Sequence, residues 1–430
     1  MMTVTACLWT GLFPLLQFGT YSHITADKWI IMLALTAVTL IASAGSIPGP
    51  LQPPGRFSHA RKTVLAVSAL LLLWIILSCL LSPLGSDSWW IGVSARKEGL
   101  LSQLCYLSLF LMFAVSRVRR EPVLLSAAVG VLAFCVVVLL QRSGINVFGL
   151  YPAGRSYATG TEFQGTIGNI DMDTGYLVLM CGLFMPALLQ PFRKKGLKKL
   201  SVRLVLQWLL VLAGMAAAVY LVITMDVQFG AITLAVLAVA AVLRFIPRRW
   251  HIPLVILLMV AALVFVWFFP GSSGGLWELH EILHGRPQLS FGSDRVAVWV
   301  FSAGLAQERL LTGGGSDTFE LRFNRYIDEN GLVIPTSQGD TPLPSYFDNP
   351  HNEYVAHLVN HGLPAMLLFI VLLLLLVFLR PRTSVSHSAA LLTPYAAAVL
   401  CYAVQAFFSF SICLVAPMFW VVAGMCAAEK

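Results

Sequence analysis

Runs of about 20 apolar residues without a charge constrain this chain more than any other feature. Residues 204–223 and 362–379 are two of them. A bilayer's hydrocarbon core is roughly 30 Å thick, and a helix rising about 1.5 Å per residue crosses it in about 20 residues. Twelve such stretches are read, near 3–20, 29–46, 63–82, 99–116, 122–141, 174–192, 204–223, 229–246, 251–269, 362–379, 388–407 and 409–427. Backbone at membrane depth finds no water to bond, so each stretch is expected to be helical. The first lacks the basic start and the small-residue cleavage pattern of a signal peptide, and is read as a retained helix. Composition agrees: 58% of the 430 residues are hydrophobic and 11% charged, against roughly 25% charged in soluble proteins. That excludes a disordered chain, a coiled coil and a single soluble domain. The expected fold is an all-α polytopic membrane protein of about 12 transmembrane helices. One large helical extracytoplasmic loop lies between helices 9 and 10. The expected division is 1–269 (helices 1–9), 270–361 (the loop) and 362–430 (helices 10–12).

Charge sets the orientation. With the N-terminus taken as cytoplasmic, the inner loops hold 18 of the 28 Lys and Arg residues and only two of the 20 acids, Glu121 and Glu429. Inner loops rich in Lys and Arg define the cytoplasmic side. Both termini are therefore expected inside and the long loop outside. The basic run 193–203 reads as a topology signal beside anionic lipid rather than a nucleic-acid site. The eight cysteines all fall within or at the ends of apolar stretches, so they read as small buried hydrophobes, with no disulfide framework.

The polar chemistry is gathered in residues 270–361. Loops beyond about 12–15 residues are usually functional or disordered. This one carries helix signals. Ser293-Asp294-Arg295 reads as a cap and first turn of a helix ending near Leu311, with Gly313 as its stop. Ser316 or Asp317 then caps a second helix running to Asn330-Gly331. Asn349-Pro350 reads as the cap and first residue of a third helix that continues into the span at 362. His351 is thereby expected at the second helical position, where the helix dipole disfavours imidazolium and free N–H groups attract an anion. Two readings of His351 stand side by side: a neutral base next to an anion, and a surface imidazole without a role. Arg295, in a first turn that disfavours cations, is either a fork for phosphate or carboxylate or a solvated partner of a nearby acid. Arg322 and Arg325 share a face with Asp317 and Glu320 a turn before them, which suggests helix ion pairs.

His280-Glu281-Ile282-Leu283-His284 spells H-E-x-x-H, a zinc-peptidase pattern when a third ligand follows. Gly285-Arg286-Pro287 ends that segment at once, and no third-ligand pattern follows. His357 and His361 form another i,i+4 pair at the entry to a span.

Several segments together resemble the O-antigen ligase and polymerase superfamily. Pro350-His351-Asn352-Glu353-Tyr354-Val355, with Gly362-Leu363, is similar to the signature at the mouth of a span after that family's large loop. Ser293-Asp294-Arg295 with Trp299 resembles its Arg…Trp segment. Gly313, Gly315 and Asp317-Thr318-Phe319 resemble its glycine turn. Gly165-Thr166-Ile167-Gly168-Asn169 and Arg96-Lys97-Glu98-Gly99-Leu100 resemble two further segments. The agreement in order and spacing covers about residues 60–427.

The resemblance implies an inverting, metal-independent glycosyltransferase without a cofactor. It implies a donor glycan on undecaprenyl diphosphate, a glycan or glycolipid acceptor, the bilayer as partner, and residence in a bacterial cytoplasmic membrane. Carried over by motif, the base falls on His351 and the diphosphate ligand on Arg295. Arg96, Asn169, Asn352, Tyr354 and Arg322 are expected contributors to diphosphate or glycan binding. One segment departs from the family pattern: Asp226-Val227-Gln228-Phe229-Gly230 stands where many members have Ser-Arg-Gly. Arg155, Arg96 or Arg322 is expected to fill that second cationic place. The rival readings are a twelve-helix transporter, which requires charged groups at mid-membrane positions, and the zinc peptidase through His280 and His284.

Overall fold

In a computed structural model of the chain, residues 1–45, 58–93, 95–189, 201–332, 347–379 and 392–430 are described. Among them the regular structure is helical, with no strand. Six helical segments are long and apolar enough to cross a membrane: Tyr21–Ala44, His59–Leu80, Arg120–Arg142, Val202–Met225, Arg248–Trp267 and Glu353–Phe378. Shorter apolar helices cover Met2–Leu15, Leu100–Val115, Gln228–Leu243 and Ala416–Ala428. The apolar stretches of the sequence are thus helical, but many helices are shorter than the stretches that announced them. The ends expected at 46 and 190–192, residues 193–200 of the basic run, and the inner loop 380–391 lie outside the described residues.

The element order is α1 Met2–Cys7, α2 Ile24–Ala44, α3 His59–Leu80, α4 Ser86–Trp89, α5 Leu100–Val115, α6 Arg120–Arg142, α7 Ile170–Leu188 and α8 Val202–Met225. It continues with α9 Gln228–Leu243, α10 His251–Trp267, α11 Gly275–Leu283, α12 Arg295–Glu308, α13 Phe319–Asn330, α14 Glu353–Phe378, α15 Pro394–Gln405 and α16 Ala416–Ala428. Helix α7 is central: nearly every side chain from Met172 to Leu188 is buried. It packs on α8 and α15, while α16 packs on α5 and α3 on α14. Small residues permit the closest approaches. A Cβ on Gly182 would lie 2.6 Å from the Ala398 backbone, and one on Gly424 would lie 2.5 Å from the Phe110 carbonyl. Helix α10 has no buried residue. It touches α11 and the turn before it, as expected of a helix bathed in lipid.

The first apolar stretch is not one helix. It passes from α1 into a π-turn at Leu8–Leu12 and a 3-10 turn at Phe13–Leu15. Such a break strands backbone carbonyls. Lys28, fully buried in α2, donates Nζ to the Phe13 and Pro14 carbonyls at 2.8 and 2.9 Å. Thr166 adds a bond to Pro14 at 2.8 Å. A buried lysine in a span is expensive unless paired; here it completes the hydrogen bonding of a broken helix.

Hydrogen bonds tie loops of like predicted side to one another. Tyr21 bonds the Leu150 carbonyl through its N–H and the Gly165 carbonyl through its hydroxyl, joining two loops expected outside. On the opposite side Arg120 pairs with Glu429, and Ser58 donates to the Lys430 carbonyl.

Candidate active site

The segment 347–362 is anchored from several directions. The helix that was expected to start at Asn349 starts three residues later. Asn352 is the cap of α14, its Oδ1 accepting from the Val355 N–H at 3.1 Å. Asn349 instead accepts from the His351 N–H at 2.8 Å, closing a short turn. His351 sits in that turn at φ +47°, outside the helix, and is not at the second helical position expected for it. Contacts from other elements decide the start. Trp299 of α12 donates to the Pro350 carbonyl at 2.8 Å, and the Glu353 N–H bonds the Ala406 carbonyl at 2.8 Å. Those two bonds fix the chain on both sides of His351.

Glycine makes the next anchor possible. Gly362 interrupts α14 at φ 82°, ψ 172°, a region open essentially only to glycine. A Cβ there would lie 2.0 Å from the Leu311 carbonyl oxygen. The Gly313–Gly315 turn lies along the same helix, Gly314 and Gly315 donating to the Val359 and Asn360 carbonyls at 3.2 and 2.8 Å. The glycine motif therefore docks the end of α12 onto α14.

His351 lies in the middle of a convergence. Its ring meets Phe410 edge-on at 5.2 Å. Phe410 also carries the Arg96 guanidinium 3.8 Å above its ring. Arg96 in turn pairs with Asp348, Nε to Oδ2 at 2.8 Å. Arg295, in the first turn of α12, lies 3.8 Å from Asp171 at the start of α7. Burial, then the positive charges of Arg295 and Arg96, push the His351 pKa down to about 4, with Asp348 opposing. The imidazole is therefore neutral at pH 7 by desolvation and neighbouring cations rather than by a helix end. Its Nδ1 is buried and accepts no hydrogen bond among the described residues. Five distant segments, around 96, 171, 295, 351 and 410, thus meet at one end of the bundle.

Other expected contributors have different partners. Asn169 caps α7, accepting from the Asp171 and Met172 N–H groups. Asn352 caps α14 as above. Tyr354 donates to the Ala403 carbonyl at 2.7 Å and fastens α14 to α15. Arg322 is buried, gives Nη1 to the Val359 carbonyl at 2.9 Å and lies 3.8 Å from Glu308. Arg155 is exposed on the loop between α6 and α7. These five side chains hold helix ends, tie elements together or face solvent, and of Arg96, Arg155 and Arg322 only Arg96 reaches the His351 neighbourhood. The zinc pattern is also differently engaged. His280 bonds the Val266 carbonyl, His284 stacks on Trp267 at 4.1 Å and Glu281 is clamped by Arg286. Among the described residues no three metal-ligating side chains converge.

Sequence reading gives Phe410 and Arg142 no role, and it meets Glu98 and Glu353 only inside family-like segments. Phe410 had been absorbed into an apolar span near 409–427, whereas α16 begins at Ala416 and the chain before it turns at the site. Glu98, with Glu353, reaches the same end of the bundle, each carboxyl accepting a tyrosine hydroxyl, Tyr106 at 2.6 Å and Tyr402 at 2.7 Å. Arg142, at the end of α6, bonds Gln164 and reaches Thr224 at 2.8 Å, two residues before the departing Asp226-Val227-Gln228 segment.

Fold and site define a multi-pass membrane protein whose ionisable groups converge where the long loop meets the helix ends. Residues 213–370, from α8 into α14, match the family described as O-antigen ligase. The likeness to that family covers those residues, which include α12, α13 and the start of α14 with Arg295 and His351. No curated protein matches the chain.

Proposed function

We propose that this protein transfers a glycan from undecaprenyl diphosphate to a sugar hydroxyl at the outer face of a bacterial cytoplasmic membrane. The observation that carries the reading is the neutral, buried imidazole of His351, whose Nδ1 has no hydrogen-bond partner among the described residues and which feels the charges of Arg295 and Arg96. The diphosphate leaves with its charge already delocalised, so it requires cations rather than a strong acid. Arg295 is the proposed ligand of that charge, with Arg96 beside it. The acceptor hydroxyl gives its proton to Nδ1 as its oxygen attacks the anomeric carbon, and the bond to the diphosphate oxygen breaks on the opposite face, inverting the centre. A base with a pKa near 4 is weak. An arriving diphosphate offsets the charge of both guanidiniums and so raises the imidazole toward its ordinary value. Base strength is thereby coupled to donor binding. The resemblance and the basic inner loops support the cytoplasmic placement of both termini. Neither the geometry nor this chemistry requires a metal or a nucleotide.

The test is purified protein given a lipid-linked donor glycan and candidate acceptors, with product and released undecaprenyl diphosphate followed by mass spectrometry. Transfer by the wild type, lost in His351→Ala, is expected. Full activity in His351→Ala refutes the assignment.

A further inference from the structure

A cavity opens at the end of the bundle away from His351. Helix α5 starts at Leu100, just past Arg96, and ends at Val115, next to Ser116. Its 16 residues at about 1.5 Å each put the two ends about 24 Å apart. The cavity holds about 390 Å³ and is lined by Arg61, Ser116, Arg117, Arg120, Tyr395 and Glu429. Small-molecule sites occupy roughly 300–1,000 Å³. Four helix ends supply the wall. Arg61 is in the first turn of α3, Arg120 opens α6, Tyr395 is in the first turn of α15 and Glu429 follows α16. This is the face whose loops hold most of the Lys and Arg residues.

The wall is cationic. Among the described residues it carries three guanidiniums and one carboxylate, Glu429, which pairs with Arg120. Arg61 gives Nη2 to the Ala114 carbonyl, and Arg117 acts on Arg61 as a like charge. An anion shared by two guanidiniums offsets such repulsion. Tyr395 is a second, independent observation. It is 3% exposed, and its hydroxyl is buried without a hydrogen-bond partner among the described residues. That hydroxyl feels the charges of Glu429 and Arg120, both in the cavity wall. Buried polar atoms are nearly always satisfied, so this exception calls for a partner. A tyrosine hydroxyl donates to an anionic oxygen, and a guanidinium takes two phosphate oxygens in its planar fork. The position indicates where the phosphate comes from. Helices α3 and α6 are both long and apolar enough to cross a membrane, and the cavity lies level with their ends. Val118 and Met425 border it with apolar surface. Basic pockets between spans on the cytoplasmic side hold anionic headgroups.

We propose that this cavity binds the phosphodiester headgroup of an anionic phospholipid from the adjoining leaflet, with Arg61, Arg117 and the Tyr395 hydroxyl on the phosphate oxygens. The bound lipid joins the ends of α3, α6, α15 and α16 at that face. The site lies apart from His351 and does not depend on the transfer reading.

The experiment is native mass spectrometry of the full chain, delipidated in micelles, with the thermal midpoint read in parallel. The separate probes are dioleoyl-phosphatidylglycerol, dioleoyl-phosphatidylcholine and inorganic phosphate. Phosphatidylglycerol is expected to bind saturably and raise the midpoint, and the other two to do neither at equal concentration. Tyr395→Phe should weaken phosphatidylglycerol binding about 10-fold, as for one hydrogen bond to a charged group. Its lipid-free midpoint should hold, because the hydroxyl bonds nothing among the described residues. Arg117→Gln should weaken binding at least as much; it is preferred to a change at Arg61, which also ties α3 to the end of α5. Equal binding of phosphatidylcholine removes the recognition of charge. Inorganic phosphate binding as tightly as phosphatidylglycerol makes the occupant a free anion. An unchanged phosphatidylglycerol affinity in either variant puts the lipid elsewhere. Each of these three results overturns the proposal.

Discussion

Replacing Arg295 by alanine separates a diphosphate ligand from a helix-end ion pair. Arg295 Nη2 lies 3.8 Å from Asp171 Oδ2, the side chains being 28% and 22% exposed. At about 4 Å and an effective dielectric constant of about 20, opposite unit charges attract by about 4 kcal/mol before desolvation and ordering are subtracted. If tethering α12 to α7 were the whole role, Arg295→Ala would cost stability of about 1–3 kcal/mol by stranding Asp171. Asp171→Asn in the same protein would then recover most of that loss. A preorganised cation at the developing charge is worth more to the rate, about 10²–10³-fold or roughly 3–4 kcal/mol. The expected pattern is therefore split. The Arg295→Ala, Asp171→Asn double variant regains thermal stability in micelles but stays at least about 100-fold slow in undecaprenyl diphosphate release. The single variant also removes a positive charge from His351, whose pKa of about 4 rises toward 6.5. The acid limb of kcat/KM then moves to higher pH. A double variant that regains the wild-type rate refutes the diphosphate role.

Other outcomes follow from single contacts. Gly362→Ala forces a Cβ to within 2.0 Å of the Leu311 oxygen at a positive φ, and should lower stability by on the order of 3 kcal/mol, read as a drop in the thermal midpoint; an unchanged midpoint would contradict the docking of α12 on α14. His280→Ala with His284→Ala removes a bond to Val266 and a stack on Trp267. It should cost about 1 kcal/mol of stability while transfer continues, also in the presence of a chelator; loss of activity to the chelator would favour the metal reading. His351 is held neutral in the fold with a pKa of about 4 against 6.5. Between those values the unfolded chain binds more protons, so stability falls as pH drops from about 6.5 to about 4. His351→Gln should flatten that part of the stability profile, and an unaltered slope would show that other groups set it.

The sequence made the helices legible because lipid-facing runs are apolar whatever their neighbours do. It concealed breaks that stay inside apolar composition. The π and 3-10 turns at Leu8–Leu15 are completed by Lys28 from another helix, and nothing local reports that partner. The turn before α16 is built from Phe, Ser, Ile, Cys and Leu, so a hydropathy window merges it with the span. Asn349-Pro350 had the composition of a helix start, yet Trp299 and Ala406 pull its backbone elsewhere and Asn352 becomes the cap. His351 and Arg295 stand out in the sequence through their motifs. Their setting was not, because Arg96, Asp348 and Phe410 come from segments separated by tens to hundreds of positions and meet only in the fold. Asn169, Tyr354 and Arg322 show the converse: residues within or beside family-like segments, with side chains engaged in capping and tying helices.

The most direct test is the single-turnover rate of glycan transfer by His351→Gln with saturating donor. General-base catalysis contributes about 10²–10⁴-fold. A base at His351 predicts a fall of at least 100-fold in that rate with lipid-linked donor affinity nearly unchanged. Transfer at the wild-type rate would contradict it.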